Sequence, residues 1–294
     1  MFTAHRELLF SIVYNMLGTV ADTDDVLQET WLAWTARKDA PDADPIANPR
    51  GYLVRIAVNQ ALARQAAISR RRETYVGPWL PEPLVEQLAE PDDAGGDAAD
   101  AAAHTEALSM AVLVVLQTLS PLERAAFVLH EVFGYAHTDI AEIIGRKPSA
   151  VRQLVHRARE HVQARRPRYR VDRRVQRQVT ERFVAATAGG DLGGLLRVLA
   201  PDVVLWTDAG GKLPRAGLRP VTGRDKVARF LLGVGSRPPA GLRIARRVVN
   251  GDLAVVLFTG DAPFAVLTLD LAPDGGLISG IYAVGNPDKL SRVR

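Results

Sequence analysis

Between Leu119 and Gln163 the chain reads LSPLERAAFVLHEVFGYAHTDIAEIIGRKPSAVRQLVHRAREHVQ, and the middle of this stretch constrains the rest. Ile140, Ala141 and Ile144 give a short helix one apolar face. Gly145 breaks that helix, and Pro148 with Ser149 opens the next. Val151, Leu154, Val155 and Ala158 recur at helical spacing, so the second helix turns its buried side to the first. The small Ala141 permits close approach, and Gly145 permits a backbone angle at the turn that larger residues resist. Arg152, Gln153, His156, Arg157 and Arg159 are left facing outward, as long donors, two of which suit base edges and phosphate oxygens in a major groove. Two amphipathic helices around a glycine turn also occur in proteins that never meet nucleic acid, so charge must decide. From Arg146 to Arg177 there are twelve Lys and Arg against two acids, a local net of +10. The whole chain, with 37 basic and 33 acidic residues, carries only +4. Basic charge concentrated from the turn onward is the electrostatic footprint of a DNA contact.

A chain of 294 residues has room for two or three domains with cores of their own. It contains no cysteine, which excludes disulfide and thiolate chemistry and suits a reducing compartment. The longest apolar stretch, Ala107 to Leu119, is too short to span a bilayer. His5, Arg6 and Glu7 precede the first apolar residues, unlike a signal peptide. The expectation is a soluble, cytoplasmic protein with no membrane contact.

Taken in order, Leu8, Leu9, Ile12, Val13 and Met16 mark a first helix from about Phe2 to Leu17. Gly18 ends it. A second helix, DTDDVLQETWLAWTA, starts with acids where the helix dipole favours them. It places Val26, Leu27, Thr30, Trp31 and Trp34 toward one side and Asp24, Asp25, Gln28 and Glu29 toward the other. A third helix after Asn48-Pro49-Arg50 turns Tyr52, Leu53, Ile56, Ala57 and Leu62 inward. It leaves Arg55, Asn59, Gln60 and Arg64 polar, with Arg70, Arg71 and Arg72 at its end. These helices form a domain over residues 1–75. Residues 76–106 form a linker: YVGPWLPEP at its start cannot be regular helix or central strand. From Glu82 to Glu106 there are eight acids and no Lys or Arg, the pattern of a flexible segment. Residues 107–166 form a second helical domain around the helix-turn-helix. Residues 167–294 form a third: helices at Val171–Ala188 and Leu192–Leu199, then a run of antiparallel strands at 203–207, 242–249, 253–259, 264–271 and 277–284. Gly223–Leu232 is a helix between the first strand and the rest. Asn250-Gly251 signals a tight hairpin, and Asp274-Gly275-Gly276 a second turn. Helices before strands give an α+β domain with helices on one sheet face.

These segments resemble a family. MLGTVADTDDVLQETWLAW and NPRGYLVRIAVNQALARQ resemble region 2 of bacterial sigma factors of the extracytoplasmic-function class. LSPLERAAFVLHEVFGYAHTDIAEIIGRKPSAVRQLVHRARE resembles their region 4. WLPEPL (79–84), DAGGK (208–212) and NPDKL (286–290) resemble marks of the subgroup with a C-terminal SnoaL-like domain. The resemblance implies a multidomain fold: an all-α region 2 bundle, an all-α region 4 helix-turn-helix, then an α+β SnoaL-like cone. It implies promoter DNA and core RNA polymerase, at clamp and flap, as partners. Lys147, Ser149, Arg152, Gln153, His156, Arg157 and Arg159 would serve the −35 element, and Arg55, Asn59, Gln60 and Arg64 the −10 element. Asp24, Asp25, Gln28, Glu29 and Trp31 would meet polymerase. Trp79, Leu80, Pro81, Asp208, Lys212, Asn286, Pro287, Asp288 and Lys289 would make regulatory contacts through which the last domain controls activity in cis.

Enzymatic chemistry is not expected. SnoaL-like folds also host isomerases that use a buried carboxylate base, which singles out Asp202 and Asp208 beside Trp206. Asp202, however, follows Pro201 at a strand start, and no tyrosine is near either acid in sequence. DAGGK lacks the spacing of a phosphate loop. The six histidines show no paired metal-ligand spacing, so neither metal nor cofactor is expected. The alternative to a sigma factor is a helix-turn-helix regulator whose C-terminal cone binds a small, unidentified ligand. The acidic second helix separates the two, because only a sigma factor needs a polymerase-docking surface.

Overall fold

Helix α1 (Phe2–Leu17) presents Leu9, Ile12, Val13 and Met16 on one stripe, and all four are fully buried. This computed structural model of the chain describes residues 2–39, 46–85, 108–165, 172–213, 217–273 and 276–293. Helix α2 (Val20–Lys38) starts ahead of the acidic run, so Asp22 falls in its first turn, where the Thr19 hydroxyl donates to it at 2.6 Å. Helix α3 (Pro49–Glu73) is capped by Asn48, whose side chain accepts from the Gly51 amide at 2.9 Å. It runs on past the apolar stripe, so that Arg70, Arg71 and Arg72 lie in its last turn, where the helix dipole favours cations.

Helix α4 (Met110–Leu116) leads to α5 (Pro121–Phe127), which opens on a reciprocal capping box between Ser120 and Glu123. A π-helical turn (Val128–Val132) follows, then α6 (His137–Ile144) and α7 (Pro148–Arg165). Gly145 between them has φ +65°, the left-handed angle that only glycine adopts without strain. Residues up to Thr74 and residues 112–166 form a single compact unit, although the sequence pattern separates them as two domains. Helix α3 packs on α6, and α5 on α7. The seam is polar. Arg124, buried, donates to Met16 O and to the Gln117 amide oxygen, both at 2.9 Å. Arg72 reaches Leu17 O at 3.3 Å and the same Gln117 oxygen. Burial pulls the Arg124 guanidinium down to about 10, so it stays charged at neutral pH. The carbonyls at the end of α1 have no intrahelical donors and carry partial negative charge, which is why they can hold these cations.

The second unit comprises residues 75–111 and 167–294. Helices α8 (Arg173–Ala188) and α9 (Leu192–Val198) precede β1 (Leu199–Asp208). Then come β2 (Val221–Thr222), α10 (Arg224–Gly235), β3 (Leu242–Val249), β4 (Asp252–Thr259), β5 (Ala262–Leu271), β6 (Ile278–Val284) and α11 (Pro287–Leu290). The strand order is β2-β1-β6-β5-β4-β3. Strands β3 to β6 form an antiparallel meander, but β6 then lies parallel to β1, with Leu205 opposite Ile281. The expectation of an all-antiparallel run is thereby corrected. Helix α10 lies between β1 and the meander in the chain, and the return inserts β6 between β1 and β5. Val203, Leu205, Leu269 and Ile281 face the helices and pack with Phe183, Leu195, Val227 and Leu231. The hairpin at Asn250-Gly251 forms with φ +53° and +76°. The acidic tract from 86 to 106 and Asp274-Gly275 lie outside the described residues.

Residues 75–85 belong to this second unit. Leu84 N–H donates to the Asn250 side chain at 3.2 Å, the Asn250 amide donates back to Leu84 O at 2.9 Å, and Val85 bridges to Val249. At the other end Leu80 N–H donates to Asp208 at 2.8 Å. The strap therefore crosses from the end of β1 to the far edge strand. Its prolines leave it few backbone donors of its own.

Candidate nucleic-acid interface

The face of α7 away from its core carries Arg152, Gln153, His156 and Arg157, all exposed, and Lys147 and Ser149 are exposed beside its start. Arg159 sits nearer the body of the unit, with Nε 3.1 Å from the Glu131 carboxylate. Arg157 lies 3.5 Å from Glu123, and His156 lies 3.5 Å from Glu160 one turn on. Such exposed pairs contribute little and break readily for a phosphate. His137, at the start of α6, packs against His130 with ring centres 4.3 Å apart and ring planes tilted by 34°. Burial, then His130, Arg152 and Arg159, holds the His137 imidazole below its ordinary range. Sequence spacing does not signal this pair, because the π-helical turn and the following loop bring the two rings together.

On α3, Arg55 and Asn59 are exposed and Gln60 is half-buried. The Asn59 amide donates to Arg55 O at 2.8 Å and to Ile143 O, in the last turn of α6, at 2.9 Å. The Gln60 amide, turned so that its nitrogen donates, reaches Val26 O and Glu29. Arg64 is held by three carboxylates: Nε to Asp22 at 3.0 Å, Nη1 to Glu29 at 3.4 Å, and Nη2 to Asp25. The α2 and α3 candidates thus meet along a cleft of about 480 Å³, whose lining includes Asp22, Glu29, Gln60, Arg64 and Arg71. Asp24 is 3.5 Å from Arg6, and Gln28 faces solvent. The two tryptophans of α2 separate. Trp31 is 46% exposed with Leu32 beside it, whereas Trp34 is buried against Tyr52.

In the second unit the three motifs converge. Asp208, at the end of β1, is fully buried and pairs with Lys289 at 2.7 Å. The Lys289 ammonium also donates to Leu80 O and lies 4.0 Å from the centre of the Trp79 ring. Tyr75 completes the site: its hydroxyl donates to Asp208 and accepts from Asn286 at 2.7 Å. Burial, then Asp208, holds that phenol well above its ordinary range. Lys212 grips Asp288 at 2.6 Å, Pro287 opens α11, and Pro81 is buried. Tyr75 was missed because 133 residues separate it from Asp208. Asp202 is exposed, and Trp206 stacks on Tyr282 with ring centres 4.8 Å apart. Asp208 thus accepts from an ammonium, a phenol and an amide.

Residues 1–72 match the family Sigma-70 region 2, residues 109–162 match Sigma-70 region 4, and residues 180–277 match the SnoaL-like domain. The ECF RNA polymerase sigma factor SigJ of Mycobacterium tuberculosis is 38% identical, over 99% of this chain and 92% of its own length. The chain belongs to the ECF sigma factors. The crystal structure of that organism's extracytoplasmic function sigma factor SigJ superposes with a TM-score of 0.74 at 33% identity, covering 99% of this chain and 97% of the other. In this sigma factor, region 2 comprises α1 to α3 and region 4 comprises α4 to α7, and all but the first two residues of α4 belong to the first unit. The match to the SnoaL-like domain spans β1 to β5 of the second unit's sheet. Among the described residues no helix is long and apolar enough to cross a membrane.

Proposed function

We propose that this sigma factor brings core RNA polymerase to promoters read at two elements, and that its SnoaL-like domain governs the reach between the two readers in cis. Helix α7 meets the −35 element and the polar face of α3 the −10 element. The acidic face of α2 docks on the polymerase clamp, and region 4 on the flap. The observation that carries the cis control is the anchoring of residues 75–85 by Asp208 and Lys289. Those residues lie in the connection between regions 2 and 4. Fixing eleven residues to the C-terminal domain removes about 36–40 Å of extended chain from that connection.

The distances give this reach a purpose. Elements centred near −35 and −10 are separated by about 85 Å of straight duplex. In the first unit Asn59 is hydrogen-bonded to Ile143, and the nine residues from Ile143 to Arg152 can span at most about 32 Å. The two readers cannot occupy both elements while α3 and α6 stay packed. Promoter engagement therefore parts the seam, and the length of free connection limits how far the readers separate.

In vitro transcription with core enzyme tests this reading, using full-length protein, a deletion of Asn286 to Arg294, and a truncation after Arg170. The expected result is promoter-specific initiation by the full chain and altered promoter-dependent output from both shortened forms. Equal activity from all three removes the C-terminal domain from control of initiation.

A further inference from the structure

Asp22 lies at the floor of the cleft between α2 and α3 and joins the side chains of both helices. Its side chain is only 7% exposed and accepts from the Thr19 hydroxyl, from Arg64 Nε, and from Arg71 Nη2 at 2.7 and 2.8 Å. Asp25 and Glu29, which hold the other two nitrogens of Arg64, are 54% and 50% exposed. The three contacts are thus unequal. Water and salt screen the outer two, which cost little to break. The inner one, removed from solvent, is hard to break because parting it leaves a buried charge without its partner. Burial pushes the Asp22 carboxyl up, but hydrogen bonds from Thr19, Arg71 and Arg64 outweigh it and hold the group below the ordinary carboxylate range.

We propose that Asp22 is a positioning residue that couples polymerase docking to promoter reading by holding Arg64 through Nε while Arg64 exchanges its outer partners. The proposal rests on the reading that Asp25 and Glu29 meet core enzyme and Arg64 meets −10 DNA. A cationic polymerase surface takes Asp25 and Glu29. Arg64 then loses two of its three carboxylates but not its orientation, and both Nη groups turn to a phosphate. The exchange runs both ways: DNA that takes Arg64 releases Asp25 and Glu29 to the polymerase. Core enzyme and promoter must then raise each other's affinity by the same factor.

The test measures core binding with and without a promoter duplex selected from a randomised pool by the wild-type holoenzyme. The salt dependence of duplex binding by the holoenzyme is measured alongside. For wild type the duplex should tighten core binding severalfold. In Asp22→Asn that factor should fall to about one while core binding without DNA stays within about twofold, and the salt slope should drop by about 0.9, the value of one phosphate contact. Arg71→Gln removes another partner of the same carboxylate and serves as the control. It should keep the coupling, whereas a merely structural Asp22 would make the two variants behave alike. Arg64→Lys, which keeps the charge but cannot hold Asp22 and a phosphate together, should lose the coupling without touching the buried carboxylate. Unchanged coupling and slope in Asp22→Asn and Arg64→Lys would overturn the proposal. Normal core binding by Asp25→Lys would instead overturn the docking assignment beneath it.

Discussion

Replacing Lys289 by methionine isolates the anchor of the strap. The substitution keeps most of the volume and removes the ammonium, which is 2.7 Å from a carboxylate with no solvent exposure and 4.0 Å from the Trp79 ring centre. Asp208 keeps the Tyr75 hydroxyl and the Leu80 amide but loses its only cation among the described residues. Removing one partner of a buried pair costs about 3–5 kcal/mol, because the remaining charge is stranded. For a unit of this size that lowers the melting temperature by roughly 6–20 °C. Adding Asp208→Asn to Lys289→Met removes the stranded charge and should recover much of the loss. The assay is thermal melting of the full-length proteins, with proteolysis at residues 75–85 as the local readout. An unchanged melting temperature and an equally protected strap in Lys289→Met would refute the anchoring argument.

Arg152→Ala should cost about 1–3 kcal/mol of discrimination between a promoter and its −35 variants, whereas Arg157→Ala should weaken all duplexes alike. Competition binding by the holoenzyme against both sets of DNA separates the two, and uniform weakening by Arg152→Ala would deny it a base contact. His137 binds its proton less readily folded than unfolded, so its contribution to stability is present above the unfolded value and is lost as pH falls below about 6.5. His137→Gln should therefore flatten the stability of the first unit against pH just below that value, as followed by denaturant unfolding.

The helix-turn-helix, the three helices of region 2 and the helix-then-strand order of the last domain were legible because each rests on local periodicity. Ile140, Ile144, Val151 and Val155 repeat at a spacing that any helix must bury on one side. The glycine at 145 and the Asn250-Gly251 pair supply backbone angles that few other residues tolerate. The family motifs likewise singled out Asp208 and Lys289, without revealing that one is the counter-ion of the other.

Partnership over long separations was decided by tertiary structure alone. Parallel pairing of β1 with β6 depends on where a returning strand inserts, which alternation along either strand does not encode. Tyr75 meets Asp208 across 133 residues, and Asn59 meets Ile143 across 84. Arg64 has the same residue type and helical position whether it faces solvent, DNA or three carboxylates, and only the packing of α3 on α2 selects the last. A side chain's period along the chain determines which way it points from its own element. What it then meets depends on elements folded from distant parts of the chain, and that pairing determined the charge states and contacts on which function rests.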